Sequence, residues 1–286
     1  MVRRPSRGER QTWAIIAGAI LVAACGGDRA ASSTPASSPA TTTPTVSGLV
    51  LAGDPASPGG ATWTYRAVDA SIAYDLAGVL FKPAGSGPFP AVIVSHGKGG
   101  SAFALPRAVG ATMVGWGAVV IATHYTHSAG VPIGSPGTAA DQGASPANVL
   151  RARKLVDLLS GLGYVDMRRV AAYGHSAGAF VTAAFAGTHP DALRVAAHSA
   201  GGVGEGPLAI ATSEAQAQGI RVPYQMHHGD ADAVVALRLD ERLASILRAQ
   251  AVEHEFVVYE GQGHDIGQSP EVLAAVREWY AAHGLF

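Results

Sequence analysis

Cysteine is almost absent from this chain, since its 286 residues include a single one, Cys25. Disulfide frameworks need pairs of cysteines, and structural zinc sites are commonly built from several thiolates. Both are therefore excluded as sources of stability. A chain with 48% hydrophobic residues can rely instead on a sizeable apolar core, as an ordinary globular protein does.

Charge is also scarce: charged residues make up 14% of the chain, and the formal net charge is -1. The basic residues are mostly arginine and are scattered, without a sustained patch or interleaved aromatic residues. The electrostatic footprint that binding to phosphate backbones requires is missing. We therefore expect no nucleic-acid partner.

The apolar run near the start, Trp13–Ala24, is too short to span a bilayer comfortably. Before it stand four arginines, typical of the basic start of a signal peptide: Arg3, Arg4, Arg7 and Arg10. Its end, Leu21–Cys25, is similar to the lipobox of bacterial lipoproteins, which implies cleavage before Cys25 and lipidation of that cysteine. We expect export to the cell envelope with a membrane anchor; an ordinary secretory signal is the alternative.

The segment after Cys25 is rich in Ser, Thr, Ala and Pro up to about residue 47. Such a composition cannot bury enough apolar area to fold, so it predicts a flexible tether. The predicted organisation is a signal peptide over 1–24, the lipidated cysteine and tether over 25–60, and a folded domain over 61–286.

Gly174–Gly178, with the sequence Gly-His-Ser-Ala-Gly, lies between a strand-like apolar run and a small-residue helix that begins at Ala177. This context predicts a nucleophile elbow. Serine is a poor nucleophile unless a tight turn exposes it beside a base and oxyanion donors. The pentapeptide alone is weak in a chain with 36 glycines, where Ser176 as a plain helix cap is the alternative.

Two further segments carry reactive side chains at strand ends. Met226–Asp232 ends an apolar strand, so the carboxylate of Asp232 lies where the strand gives way to a loop. Phe256–Tyr259 predicts another strand, and the glycine-rich loop after it can bring His264 back over the sheet. Nucleophile, acid and base then follow in the order Ser176, Asp232, His264.

That order, together with the elbow, resembles the α/β-hydrolase superfamily over about residues 62 to 286. Ser95–Gly100 and His228–Asp232 are similar to the dienelactone-hydrolase-like esterases, although those often carry a cysteine where this chain has Ser176. The resemblance implies an α/β-hydrolase fold with a mainly parallel sheet of about eight strands and helices on both faces. It also implies ester hydrolysis without a cofactor.

The resemblance further assigns roles to nearby residues. Its pattern His-Gly-x-x-Asp selects Asp232 as the acid, which leaves Asp230 to stabilise the turn. It makes the N–H groups of Lys98 and Ala177 the oxyanion donors. The Lys98 side chain could steer anionic substrates, but a solvated lysine is the simpler interpretation.

Several other histidines lie close to these motifs: His96, His124, His127 and His175. They lack the helical His-Glu-x-x-His spacing of a zinc site, so we interpret them as structural and predict no metal. The aromatic residues Trp116, Tyr125 and Tyr224 are candidates for the substrate pocket, with plain core packing as the alternative.

The hydrophobic pattern predicts alternating strands and helices. The strands are expected near 62–68, 71–82, 91–95, 118–123, 168–173, 193–198, 222–228 and 254–259. The helices are expected over 101–115, 147–161, 177–187, 236–250 and 270–282. Insertions over 126–145 and 201–219 should shape the pocket, because both leave the carboxyl edge of the sheet.

The sequence therefore predicts a serine carboxylesterase that acts on small-molecule or polymeric esters. The absence of a long helical cap favours small or accessible substrates. A serine peptidase or amidase would use the same three residues, and a non-catalytic surface binding module on a hydrolase scaffold is the alternative from another class.

Overall fold

The computed structural model describes residues 2–3, 46–204 and 210–286. Cys25, the predicted signal peptide apart from Val2–Arg3, and the predicted tether up to residue 45 lie outside the described residues. Among those that are described, no helix combines the length and apolar character needed to cross a membrane.

The described strands form one sheet, and helices connect most of them. The strands are β1 Val2–Arg3, β2 Leu49–Ala52, β3 Ala61–Asp69, β4 Ile72–Phe81, β5 Phe89–Ser95, β6 Val119–Thr123, β7 Val165–His175, β8 Val195–Ser199, β9 Tyr224–Gly229 and β10 His254–Tyr259. The helices are α1 Leu105–Gly115, α2 Pro146–Ser160, α3 Ala177–Thr188, α4 Glu214–Ala217, α5 Arg238–Ala249 and α6 Pro270–Ala282, with a 3-10 turn at Pro190–Ala192.

The strand order across the sheet is β1-β10-β9-β8-β7-β5-β6-β4-β3-β2. From β10 to β6 every neighbouring pair is parallel, whereas antiparallel pairing joins β4, β3 and β2 at one end and β1 at the other. Strands β3 to β10 with the helices between them form the α/β-hydrolase fold, as predicted from the sequence.

The central strands are buried because helices cover both faces of the sheet. β6 and β8 are buried at every position, which explains their nearly continuous apolar sequences. Much of β3 alternates between buried and more exposed residues, as expected near an edge with one wet face.

Two apolar clusters lie on opposite faces of the sheet. One includes the buried sides of α2, α3 and α5, with Leu155, Phe180 and Leu243 among its members. The other includes α1 and α6, with Met113 and Val276. Burying each such side chain contributes roughly 1.5–3 kcal/mol, so the two clusters hold the sheet edge in a fixed shape.

Several elements differ from the prediction. Strand β1 was not predicted, and β7 begins at Val165 rather than at residue 168. β2 pairs with β3 from Leu49 opposite Tyr65, so ordered pairing begins inside the predicted tether rather than at residue 61. Helix α4 was not predicted within the 201–219 insertion. Helix α1 begins four residues late, because the Ala104 N–H donates to the Ser101 oxygen at 3.1 Å and closes a turn first.

The topology determines where side chains with reactive groups meet. Because β5, β7, β9 and β10 are parallel, their carboxyl ends lie along the same edge. The loops that leave this edge contain His96, Ser176, Asp232 and His264.

Candidate active site

Ser176 occupies a strained position at the junction of β7 and α3. Its φ of 56° and ψ of -123° lie outside the regions that non-glycine residues prefer, at a cost of about 1–3 kcal/mol. Its N–H donates to the Ser199 oxygen at 3.0 Å, which fixes the turn against β8. The strained turn is the geometry of a nucleophile elbow.

The elbow requires glycine on both sides because the backbones approach closely. A Cβ at Gly174 would lie 2.2 Å from the Gly178 oxygen, and one at Gly178 would lie 2.1 Å from the Ser95 oxygen. The Gly178 oxygen belongs to helix α3 and the Ser95 oxygen to strand β5, so neither can move without displacing its element. The two glycines therefore allow the serine turn to pack directly against the end of β5.

The structure brings together the three residues predicted as nucleophile, base and acid. His264 Nε2 lies 2.9 Å from Ser176 Oγ, and His264 Nδ1 lies 2.8 Å from Asp232 Oδ2. The Asp232 side chain is fully buried, whereas that of His264 is 15% exposed. A hydroxyl, an imidazole and a carboxylate are thus linked in one line, in which Ser176 and His264 are partly exposed and the carboxylate is buried.

Asp232 is held as an anion. Its Oδ1 accepts the N–H groups of Val234 and Val235 at 2.8 and 2.9 Å. Burial raises the pKa of this carboxyl, but the hydrogen bonds from His264 and the two amides outweigh burial and leave the pKa below its ordinary value. The carboxylate can therefore stabilise a positive charge on His264.

Asp230 does not contact His264; it joins the acid loop to the histidine loop. Its Oδ1 accepts the Gly261 N–H at 2.7 Å, and the Ala231 N–H donates to the Gln262 oxygen at 3.0 Å. Sequence reasoning gave Asp230 a role within its own turn, whereas the contact crosses to the neighbouring loop.

A second histidine packs against His264. The ring centroids of His175 and His264 are 4.9 Å apart, and His175 Nδ1 lies 3.0 Å from Ser199 Oγ. Burial, and then the nearby His264, lower the pKa of His175 to about 4. His175 is therefore neutral, and its ring packs against the ring of His264 and restricts its orientation.

The loop after β5 lies directly against the serine. A Cβ at Gly97 would lie 3.3 Å from the Ser176 Cβ. The N–H groups of Lys98 and Ala177 make no hydrogen bond with any residue that the structure describes, and Ala177 is the first residue of α3. Both are available as donors, while the Lys98 side chain is exposed.

Hydrogen bonds define the tautomer of His96, at the start of this loop. Its Nε2 accepts the Tyr125 N–H at 3.2 Å, so the proton lies on Nδ1, which donates to the Gly97 oxygen at 2.9 Å. Burial, and then the nearby His127, lower the pKa of His96 to about 3. The ring is thus a neutral brace for the loop.

His127 connects the same loop to helix α2. It donates from Nε2 to the His96 oxygen at 3.0 Å, while its own backbone oxygen accepts the Gly99 N–H at 3.0 Å. Asn148 of α2 lies 3.4 Å from His127 Nδ1 and also accepts the Thr126 N–H at 3.0 Å. The predicted oxyanion loop is therefore supported by Asn148 on the buried side of α2.

The 126–145 insertion is fixed by Arg151 of α2, which is fully buried. The guanidinium donates to four backbone oxygens at 2.7 to 3.0 Å: those of His124, Ile133, Gly134 and Pro136. The insertion consequently has a fixed position beside the loop that follows β5. Within the other insertion, residues 205–209 lie outside the described part.

The structure corrects the predicted pocket aromatics. Tyr125 and Tyr224 are fully buried, and their hydroxyls bond to Ser95 Oγ and His198 Nδ1 at 2.9 and 2.8 Å. Trp116 follows α1 at the amino side of β6, at the opposite edge from Ser176, and its ring contacts Phe286. All three pack structurally, which was the alternative interpretation.

Sequence reasoning missed a buried aspartate beneath the site. Asp240 of α5 contacts His198 and His228 at 2.7 Å, and all three side chains are fully buried. The helical spacing of α5 contained a signal for this residue. Asp240 lies on the same apolar side of the helix as Leu239 and Leu243, where a carboxylate is unexpected.

An α/β sheet with a strained serine elbow and a hydroxyl–imidazole–carboxylate line defines a hydrolase of the α/β-hydrolase class. The chain belongs to the dienelactone hydrolase family, whose sequence profile matches residues 76–270. A search among curated proteins gave no match.

Solved structures with the same fold include both esterases and peptidases. The esterase Est2 of Thermogutta terrifontis, bound to propionate, is 18% identical with a TM-score of 0.60, over 80% of this chain and 96% of its own. A putative dienelactone hydrolase from Klebsiella pneumoniae is 18% identical with a TM-score of 0.60, over 77% and 98%. A puromycin-hydrolyzing peptidase of Mycobacterium tuberculosis is 21% identical with a TM-score of 0.63, over 78% of this chain but only 39% of its own.

Proposed function

We propose that this protein is a serine carboxylesterase that acts through an acyl-enzyme. The single observation that carries the proposal is the line of contacts from Ser176 Oγ through His264 to Asp232, at 2.9 and 2.8 Å. Such a line converts a weakly acidic hydroxyl into a nucleophile, because the imidazole takes the proton as the carbonyl is attacked.

In the first step, Ser176 Oγ attacks the ester carbonyl and His264 Nε2 takes its proton. The oxyanion that forms is stabilised by the N–H groups of Lys98 and Ala177. The protonated His264 is stabilised by Asp232, and it then donates the proton to the alcohol that leaves.

In the second step, water enters and His264 takes one of its protons. The resulting hydroxide attacks the acyl carbon, the ester to Ser176 breaks as His264 Nε2 returns the proton to Ser176 Oγ, and the carboxylic acid leaves. Each proton that His264 accepts is returned within the same half-reaction, so the protein needs no other proton carrier.

Ester substrates are favoured over amides by the similarity to the Thermogutta esterase, which spans nearly that enzyme's whole length. A peptidase or amidase is the second candidate, because the Mycobacterium peptidase has the same fold in a part of its chain. Within the described residues the 201–219 insertion forms only the short helix α4, which favours small or accessible esters.

Replacing Ser176 by alanine tests the proposal. Hydrolysis of a short-chain p-nitrophenyl ester should fall by a factor on the order of ten thousand, because the nucleophile is lost while the surrounding contacts survive. Ser160→Ala, at an exposed serine of α2, is the matched control and should retain full activity.

A fluorophosphonate probe should label the wild type and the control but not Ser176→Ala. Parallel assays on ester and amide substrates with the same acyl group decide between the two candidates. Undiminished hydrolysis in Ser176→Ala would overturn the proposal.

A further inference from the structure

A buried polar cluster lies directly beneath the acid loop. Asp240 of α5 is flanked by His198 of β8 and His228 of β9, and all three side chains have no exposed surface. Asp240 Oδ1 lies 2.7 Å from His198 Nε2, and Oδ2 lies 2.7 Å from His228 Nδ1. Oδ2 also accepts the Gly201 N–H at 3.3 Å.

Hydrogen-bond chemistry determines the protons of His228. Its Nε2 lies 2.9 Å from the Val235 backbone oxygen, which can only accept, so Nε2 carries a proton. Its Nδ1 faces the carboxylate of Asp240 and needs a second shared proton. His198 differs, because the Tyr224 hydroxyl at 2.8 Å can donate to its Nδ1 and leave that ring neutral.

The cluster therefore holds one proton more than two neutral imidazoles and a carboxylate would. Imidazole is far more basic than carboxylate, so the extra proton belongs to His228 and forms an imidazolium–carboxylate pair with Asp240. Burial lowers the pKa of His228, but the contact with Asp240 outweighs burial and raises it. For Asp240, burial raises the pKa, and the two histidines reverse that effect.

The charged ring also touches the proposed catalytic acid. His228 Nε2 lies 3.4 Å from Asp232 Oδ2, the same oxygen that contacts His264 at 2.8 Å. Asp232 is therefore located between two imidazoles, a fixed buried cation on one side and the proposed base on the other. Opposite charges in so dry a site interact strongly.

We propose that Asp240 is a positioning residue: it keeps His228 protonated as a buried cation against Asp232, which weakens the stabilisation that Asp232 offers to a positive charge on His264 and extends activity to lower pH. The activity part of this inference rests on the proposed esterase function. A cation on one side of a carboxylate weakens the stabilisation that this carboxylate offers to a second cation.

The polar groups that contact His228 come from three parts of the fold. Asp240 comes from α5, and Asp232 and the Val235 oxygen come from the acid loop. His198 on β8 reaches it only through Asp240. None of these contacts supplies a second negative charge at Nδ1, so Asp240 is the main group that sustains the proton, and the Val235 oxygen and Asp232 contribute less.

Asp240→Asn is a nearly isosteric test. The amide nitrogen can donate to His228 Nδ1 and the amide oxygen can accept from His198 Nε2, so both histidine contacts survive while His228 becomes neutral. Only the long 3.3 Å bond from the Gly201 N–H is lost. The acid limb of the kcat/KM profile should move up by roughly half to one pH unit, because Asp232 then stabilises a positive charge on His264 more strongly. The plateau rate should fall by less than about tenfold.

Asp191→Asn is the matched control, with the same chemical change at an exposed aspartate, and its profile should match the wild type. If Asp240→Asn does not fold, His228→Gln replaces it, since the side-chain amide still donates to the Val235 oxygen without charge. That variant should shift the acid limb in the same direction. An unmoved acid limb in the folded variant overturns the positioning role.

Ring-nitrogen NMR of the full chain, labelled with 15N-histidine, tests the cation without using turnover. The signal lost in His228→Gln identifies His228, which should keep both ring nitrogens protonated to a higher pH in the wild type than in Asp240→Asn. If His228 loses its second proton at the same pH in the two proteins, the inference is overturned. Because this measurement also works in Ser176→Ala, its failure is distinguishable from failure of the esterase proposal.

Discussion

At the scale of single residues, Ser176 shows how closely local sequence controls the site. The strained φ of 56° is stable only because the glycines around it allow the turn to press against β5. The strain is offset by the packing of the two strands, so a change at either glycine affects both stability and the direction of the serine side chain.

Gly178→Ala should lower both the stability of the fold and the rate of ester hydrolysis. The added Cβ would meet the Ser95 oxygen at 2.1 Å, which is backbone and cannot yield cheaply. We expect a loss of roughly 1–3 kcal/mol in the free energy of unfolding and a large loss of ester hydrolysis. Urea denaturation and steady-state kinetics measure the two effects.

Gly163→Ala is the matched control, because no atom lies within 4 Å of the added Cβ. Its free energy of unfolding should not fall by more than a few tenths of a kcal/mol. If Gly178→Ala unfolds at the same urea concentration as the control, close packing at the elbow is not what holds the turn.

The reactive residues could be predicted because each follows an apolar strand, and a parallel sheet brings strand ends together. The direction in which a buried side chain points could not be predicted in this way. Tyr224 stands at the first position of β9, where only the three-dimensional packing turns its hydroxyl towards His198. Asp240 was missed for the same reason, because a carboxylate among leucines has no meaning until its partners are known.

At the scale of elements, the predicted oxyanion loop depends on helix α2. Asn148 contacts His127, accepts the Thr126 N–H, and donates to the Gly143 oxygen at 3.0 Å. His127 in turn accepts the Gly99 N–H. Helix, insertion and loop thus form one hydrogen-bonded unit behind the donors.

Asn148→Ala should break this unit. The buried Thr126 N–H loses its acceptor, which should lower stability by about 1–3 kcal/mol. Turnover should fall more than substrate affinity, because oxyanion donors act mainly in the transition state. Measurement of kcat and KM on a p-nitrophenyl ester separates the two.

Gln142→Ala in the same insertion serves as the control, since its amide makes a single long bond of 3.4 Å. It should leave kcat unchanged. Should Asn148→Ala raise KM while kcat stays constant, the helix supports substrate binding rather than the oxyanion donors.

Most elements were predictable, because apolar runs with the spacing of strands and helices define them. Strand β2 was not, since Leu49–Ala52 is four residues long and its pairing with β3 is determined by contacts across the sheet. Helix α4 is equally short, and its capping box of Ser213 and Gln216 is visible only once the turn is known.

At the scale of the whole molecule, buried histidines make stability depend on pH in two directions. Burial lowers the pKa of His96 to about 3 and those of His124, His127 and His175 to about 4. In the unfolded chain these groups bind protons below about 6.5, so between pH 6.5 and 4 the unfolded state takes up more protons. Their contribution to stability is complete above pH 6.5 and is lost as the pH falls through that window.

The urea midpoint should therefore decline between pH 6.5 and 4, before most carboxylates titrate. His124→Gln should make the decline shallower, because glutamine still offers an acceptor to the Ala102 N–H, which His124 Nδ1 accepts at 3.1 Å, but binds no proton. A midpoint that stays constant from pH 7.5 to 4.5 would show that these rings are not held neutral.

His228 acts in the opposite direction because contact with Asp240 raises its pKa. The folded state then binds the extra proton, so this contribution is complete below the unfolded value of about 6.5 and is lost as the pH rises through the folded value. Stability should consequently decline again as the pH rises above 6.5 and through the raised pKa of His228. In Asp240→Asn the alkaline decline in stability should vanish. The acid decline should remain, because the four neutral histidine rings are unchanged. Urea midpoints measured from pH 5 to 9 in both proteins give the comparison, and an alkaline decline that persists in the variant would assign it to groups other than His228.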